Sequence, residues 1–241
     1  MASNLTRKYM VIFNVIMAVA IFGMDILYMS IGTLLIKGVT SGLFFVMGLV
    51  NFIYAVKSKT KNFKSSLFLL LGLFFAMLGD IILNINFVIG ATLFGIGHIL
   101  FFVSYCSLIR FKWFDILYGT AIFVPSMLFI VLSPLFDFEQ VLMEAVCIAY
   151  ALVISFMLGK SISNLIRDHT ILNLTIFIGS VLFFFSDLML LLNVFAGLGR
   201  AFDILCLLTY YPAEIVLALS IFVSVEKNEN NIETKQPTID N

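Results

Sequence analysis

Residues 72–105 read GLFFAMLGDIILNINFVIGATLFGIGHILFFVSY. Two apolar helical runs meet there at a short turn, and each holds a residue that hydrocarbon rejects. Asp80 stands near the end of the first run, and His98 lies well inside the second. An ionisable side chain at membrane depth costs roughly 2.5–3.5 kcal/mol on insertion, so it faces a protein interior or a wet cavity and marks a functional candidate. The rest of the chain supplies partners for this stretch.

Runs of the same kind fill the chain on both sides. At 241 residues, 62% hydrophobic and 12% charged, with mean hydropathy +1.12, the composition is that of an all-α integral membrane protein. Eight segments are long enough to cross a bilayer core of about 30 Å as helices. They are 10–30, 33–56, 66–85, 87–109, 114–133, 139–159, 171–192 and 202–224, within one transmembrane domain over 1–225. The polar stretch 226–241 is expected to be a disordered cytoplasmic tail. Arg7 and Lys8 before the first run resemble a signal peptide, but the run is too long and lacks a cleavage site, so it reads as the first span. With the N-terminus in the cytoplasm, twelve of the fourteen Lys and Arg collect on the inner side, Lys160 and Arg167 among them; Arg200 falls outside and Lys37 inside the second span. That bias predicts eight spans with both termini cytoplasmic. A net charge of zero and no basic tract exclude a nucleic-acid partner. Cys106, Cys147 and Cys206 lie apart in apolar runs and read as packing residues.

An internal repeat is visible. Gly72 precedes Asp80 by eight residues, as Gly179 precedes Asp187, and superposing the two requires an offset of 107. The same offset sets Lys37 on Glu144, at the outer ends of spans two and six. An even number of spans between the copies predicts a parallel four-plus-four repeat, 10–110 and 114–224, about an axis along the membrane normal.

The polar residues of the spans sort by depth. Asp25, Lys37, Asp80, Asn84, Glu144 and Asp187 fall in the outer half, while His98, Tyr210 and Glu214 lie nearer the midplane. Almost no ionisable group is expected in the inner half, which points to a polar pocket opening outward. Gly72, Ala76 and Asp80 recur every four residues, a small-residue stripe that lets another helix approach the aspartate. Ala91, Gly95, His98, Phe102 and Tyr105 form a similar stripe on span four, and Pro212 between Tyr210 and Glu214 kinks span eight. Each residue has a plainer reading beside the functional one. Asp80 and Asp187 serve equally as hydrogen-bonding glue between helices, His98 as a packed histidine, and Lys37 or Glu144 as an interfacial anchor. Two matched aspartates favour the functional reading.

Several mechanisms are excluded. The only histidines are His98 and His169, too few for a three-histidine zinc site; a mixed carboxylate–histidine site stays open. No GxSxG elbow appears. What remains is a pair of carboxylates, Asp80 and Asp187, with Lys37, Asn84, His98, Glu144, Tyr210 and Glu214 as assisting or substrate-binding residues. One protonated and one ionised acid is the arrangement that acid–base hydrolysis wants. A small-solute transporter or a lipid-binding membrane protein is the alternative, since repeats and midplane charges suit these also.

Four motifs carry a resemblance. LGD-x-x-L at 78–83, G-x-x-x-F-G-x-G-H-x-x-F at 90–101, F-x-x-SD-x-x-L-x-L at 183–192 and LLTYYPAEIVLALS at 207–220 resemble the YhhN family, which includes mammalian and bacterial lysoplasmalogenases. The resemblance implies hydrolysis of the vinyl ether bond of a lysoplasmalogen, a lysophospholipid, to a fatty aldehyde and glycerophosphocholine or glycerophosphoethanolamine. It places the family's two aspartates on Asp80 and Asp187 and implies no metal and no cofactor. Departures are Gly38 after Lys37, where the family often has proline, and Phe101, where tyrosine is common.

Overall fold

The structure is a computed structural model and describes residues 4–138 and 140–233. The described residues form eight helices: α1 (Asn4–Ile31), α2 (Leu34–Lys57), α3 (Phe63–Leu83), α4 (Phe87–Leu108), α5 (Trp113–Leu132), α6 (Val141–Arg167), α7 (Ile171–Ala196) and α8 (Arg200–Glu233). All eight are long and apolar enough to cross a membrane, which makes the chain a multi-pass membrane protein. Residue 139, the expected start of span six, and 234–241, the end of the expected tail, lie outside the described residues. Residues 226–233 continue α8 as helix.

Local chemistry sets the helix ends. The side chains of Thr33, Asn86 and Thr170 cap α2, α4 and α7, each accepting from a backbone N–H three residues on. Gly32 and Gly197 take left-handed φ values of 70° and 63° and stop α1 and α7, a conformation that costs glycine nothing. α6 runs past the expected end at 159 because Lys160, which hydropathy places outside the bilayer, is paired in the interior.

α8 lies at the centre and packs on α1, α2, α3 and α7. α3 lies along α4, α7 along α8, and α5 along α6; α2 joins α3, and α4 joins α6. Large apolar side chains such as Val19, Leu35, Leu117 and Leu174 stand exposed on the outside. In water this would be a defect; against lipid it is the expected solvent face.

The small residues of the α3 stripe admit α4, which packs at Gly72, Ala76 and Gly79, whereas Asp80 is reached from α2 and α8. A Cβ on Gly97 would stand 3.2 Å from the carbonyl oxygen of Gly72 and 3.5 Å from the nitrogen of Ala76. The buried face of α4 differs from the stripe expected for it. Phe94, Gly97, Phe101 and Ser104 are buried with Ala91, His98 and Tyr105, whereas Gly95 and Phe102 are only half-buried. α4 is wedged between α3 and α6, so its buried arc is wider than one stripe and is centred toward Gly97.

A close backbone approach joins α5 and α6. A Cβ on Gly159 would meet the nitrogen of Gly119 at 2.5 Å and its Cα at 2.8 Å, and backbone atoms cannot swing aside. Gly159→Ala is therefore expected to destabilise the bundle by about 1–3 kcal/mol, the usual cost of overpacking. The thermal unfolding midpoint in detergent reads this, and an unchanged midpoint would refute the contact.

Candidate functional site

Among the described residues, Asp80, Asp187 and Asp115 each gather a cluster of polar side chains from neighbouring helices. The first surrounds Asp80 on α3. Lys37 of α2 places its Nζ 3.0 Å from Asp80 Oδ1, while Ser41, one turn further along α2, and Tyr211 of α8 donate to Oδ2 at 2.5 and 2.9 Å. Lys37 Nζ also stands 5.5 Å from the centre of the Tyr28 ring. The lysine is thus drawn inward by the aspartate, although its position near a helix end would have let it snorkel. Asp25 of α1 is fully buried within electrostatic reach of Asp80, and neither of its oxygens has a hydrogen-bond partner among the described residues.

The second cluster surrounds Asp187 on α7. Tyr150 of α6 donates its hydroxyl hydrogen to Asp187 Oδ2 at 2.8 Å, and His98 Nε2 lies 3.2 Å from the same oxygen and 2.7 Å from the Tyr150 oxygen. The His98 ring is fully buried, packed edge-on against Phe183 at 4.5 Å, and its Nδ1 has no partner among the described residues. The ring hydrogen therefore belongs on Nε2, where two acceptors wait, and the bare lone pair on Nδ1. Tyr150 is the site residue that sequence reasoning missed. One tyrosine in an apolar run carries no motif, and only the packing of α6 on α4 and α7 brings it to the aspartate.

The two aspartates do not share a hydrogen-bond cluster. A chain of rings connects them: Tyr211 touches Tyr210 at 4.9 Å, Tyr210 touches Phe183 at 5.4 Å, and Phe183 touches His98. Tyr210 donates its hydroxyl hydrogen to the carbonyl of Ala76 at 3.4 Å and has no hydrogen bond to either aspartate carboxylate among the described residues. Glu214, one turn on, is fully buried, and no hydrogen bond of ordinary geometry reaches either of its oxygens among the described residues. Asn84 folds back on its own helix and donates to the backbone oxygen of Asp80 at 3.1 Å. Glu144 is half-buried in the first turn of α6 and makes no ion pair among the described residues; Lys37, its counterpart by offset, is taken by Asp80.

A cavity of about 420 Å³ opens beside the second cluster, walled by α3, α4, α5, α6 and α7. Its lining is almost wholly apolar, with Phe87, Ala91, Phe94, Phe129, Cys147 and Leu191 among the wall residues. Asp187 is the one carboxyl group in the lining, and Tyr150 stands next to it. Asp80 does not reach the cavity. Phe94 lines the cavity and also packs on α3, its ring 2.9 Å from where a Cβ on Gly79 would sit. Among the described residues no group of three His, Cys, Asp or Glu side chains is arranged to hold a metal ion.

The third cluster lies near the other end of the helices and overturns the expectation that this half holds almost no ionisable group. Asp115 of α5 accepts from Lys160 Nζ at 2.8 Å, from the Ser163 hydroxyl and from the backbone N–H of Lys112 at 2.7 Å, with Arg167 at 3.8 Å. Lys160 is fully buried, not in a loop. Asp115 directly follows the interfacial Trp113-Phe114 pair, where an acid at a helix start reads as a cap, so its partner was invisible in sequence.

The model of the YhhN family matches residues 32–221, well over half of the chain. The chain belongs to the YhhN family. No curated protein and no solved structure matches it. The YhhN match runs from α2 into α8 and takes in Asp80, Asp187, their hydrogen-bond partners and the cavity lining; α1, with Asp25 and Tyr28, precedes it.

Proposed function

We propose that this YhhN-family chain is a lysoplasmalogenase-like hydrolase that cleaves the vinyl ether bond of a lysoplasmalogen. One observation carries the reading: a single carboxyl group, Asp187, lines an apolar cavity inside a membrane bundle. A hydrocarbon chain suits such walls, and about 420 Å³ falls in the range of small-ligand pockets. The alkenyl chain lies in the cavity with its vinyl ether against Asp187.

The reaction needs an acid at a carbon atom. Asp187 gives its proton to the double-bond carbon farther from oxygen, and the π electrons form the new C–H bond. The positive charge is then shared between the neighbouring carbon and the ether oxygen, a cation of the kind that glycosidases stabilise with carboxylates. Water adds to that carbon and returns a proton to the Asp187 carboxylate, giving a hemiacetal. The hemiacetal collapses as its hydroxyl proton passes to the departing glycerol oxygen. The products are a fatty aldehyde and the glycerophospho head group, with the carboxyl group restored. Asp187 is the donor in this reading because only it reaches the cavity. Asp80, ion-paired with Lys37 and not in the cavity lining, acts through its charge rather than by contact.

The four-plus-four repeat belongs to this reading. α2 packs on α8 and α6 on α4, the pairing that an offset of four helices requires, which supports two related halves. With both termini in the cytoplasm, as the Lys and Arg bias argues, both aspartate clusters lie in the outer half of the membrane.

Purified protein in detergent, supplied with choline and ethanolamine lysoplasmalogens, is expected to release fatty aldehyde without added metal or cofactor. Folded protein that releases none from either substrate would overturn the assignment.

A further inference from the structure

Two donors converge on one oxygen of Asp187. Tyr150 and His98 both engage Oδ2, and no hydrogen bond among the described residues reaches Oδ1. Oδ1 is not sealed in either: the Asp187 side chain keeps 13% of its surface open, and it lines the cavity. A carboxyl group gripped by one oxygen cannot turn about its Cβ–Cγ bond without breaking both bonds. Its free oxygen is thereby held in one orientation.

We propose that Tyr150 is a positioning residue, which holds Asp187 so that Oδ1, the proton-bearing oxygen, faces the substrate. The proposal rests on the hydrolase reading for its kinetic consequence, but its geometry stands alone. Tyr150 is the stronger of the two donors by distance, 2.8 Å against 3.2 Å. Without its hydroxyl the Nε2 hydrogen of His98 is left to Asp187 alone, but Oδ2 is then held by one bond of 3.2 Å in place of two. A proton-transfer group released from its orientation loses rate more than binding, since a misplacement of about 1 Å can cost ~10².

Tyr150→Phe isolates the hydroxyl, because the ring still fills the cavity wall. The expected result is a fall in kcat of about 10²-fold, with KM within about twofold of the parent and an unchanged unfolding midpoint. If the ring were only packing, Y150F would turn over like the parent, and that outcome overturns the proposal. A second readout does not depend on the reaction. Dicyclohexylcarbodiimide is apolar, and a protonated carboxyl adds across its C=N bond to give an O-acylisourea, detectable by mass spectrometry. In the parent protein Asp187 should be labelled and Asp80 should not. In Y150F labelling of Asp187 should slow severalfold, as Oδ1 is no longer held toward the cavity. No label on Asp187 in the parent, or equal rates in both proteins, refutes the positioning even if Y150F misfolds. A parent protein inactive on lysoplasmalogen that nonetheless shows the labelling contrast would sink the substrate assignment and leave the geometry of Tyr150 standing.

Discussion

Asp187→Asn is expected to yield a folded protein that releases aldehyde 10²–10⁴-fold more slowly than the parent, the range for loss of a general acid. Asparagine matches aspartate in size, and its amide oxygen still accepts from Tyr150, so the cluster with His98 can persist. What it lacks is a transferable proton. The effect should appear in kcat, because the apolar walls that bind the chain are unaltered. Asp80→Asn is a useful contrast. It takes the charge from the partner of Lys37, which is itself buried, so this variant should lose stability as well as rate. Near-parental turnover by D187N, with an unchanged unfolding midpoint, would remove Asp187 from the chemistry. Attention would then pass to His98 and Glu214.

The largest stability effect is expected at the opposite end of the helices. Lys160→Met should cost about 3–5 kcal/mol, because it leaves Asp115 as a buried charge without its nearest cation. Ser163 and the Lys112 amide still donate, and Arg167 at 3.8 Å is the only other cation paired with the carboxylate among the described residues. The double variant Lys160→Met with Asp115→Leu replaces both charges by apolar groups and should recover much of the loss, since desolvation offsets most of a buried pair's attraction. Unfolding in a denaturing detergent titration reads both. A single variant as stable as the double would mean that the pair is not coupled.

Both predictions rest on pairings that differ in how legible they were. Asp80 and Asp187 stand out in the sequence because an acid within twenty apolar residues has no cheap environment. Their matched Gly-x7-Asp settings mark them further. The stripe Gly72-Ala76-Asp80 foretold a helix close to the aspartate; α4 comes close at Gly72 and Ala76, but the helices that reach Asp80 are α2 and α8. Lys37 was recognisable as a candidate, but not as the partner of Asp80, because a flexible lysine near a helix end reaches inward or outward at little cost. Tyr150, Ser41 and the Asp115–Lys160 pair carry no local pattern. Hydropathy averages over a window, so it hides one polar group among apolar neighbours, and it ended span six at Lys160.

The sequence by itself therefore determined the class of protein, the number of helices and the two aspartates, since each follows from the cost of placing a side chain or a backbone in hydrocarbon. That cost depends on residue type and spacing along one helix. The tertiary structure alone decided which helices meet, and hence that Asp80 meets Lys37, Ser41 and Tyr211, while Asp187 meets His98 and Tyr150 beside a cavity. Partners of that kind come from different helices, up to 131 residues apart, and no term in a single helix's transfer energy refers to them.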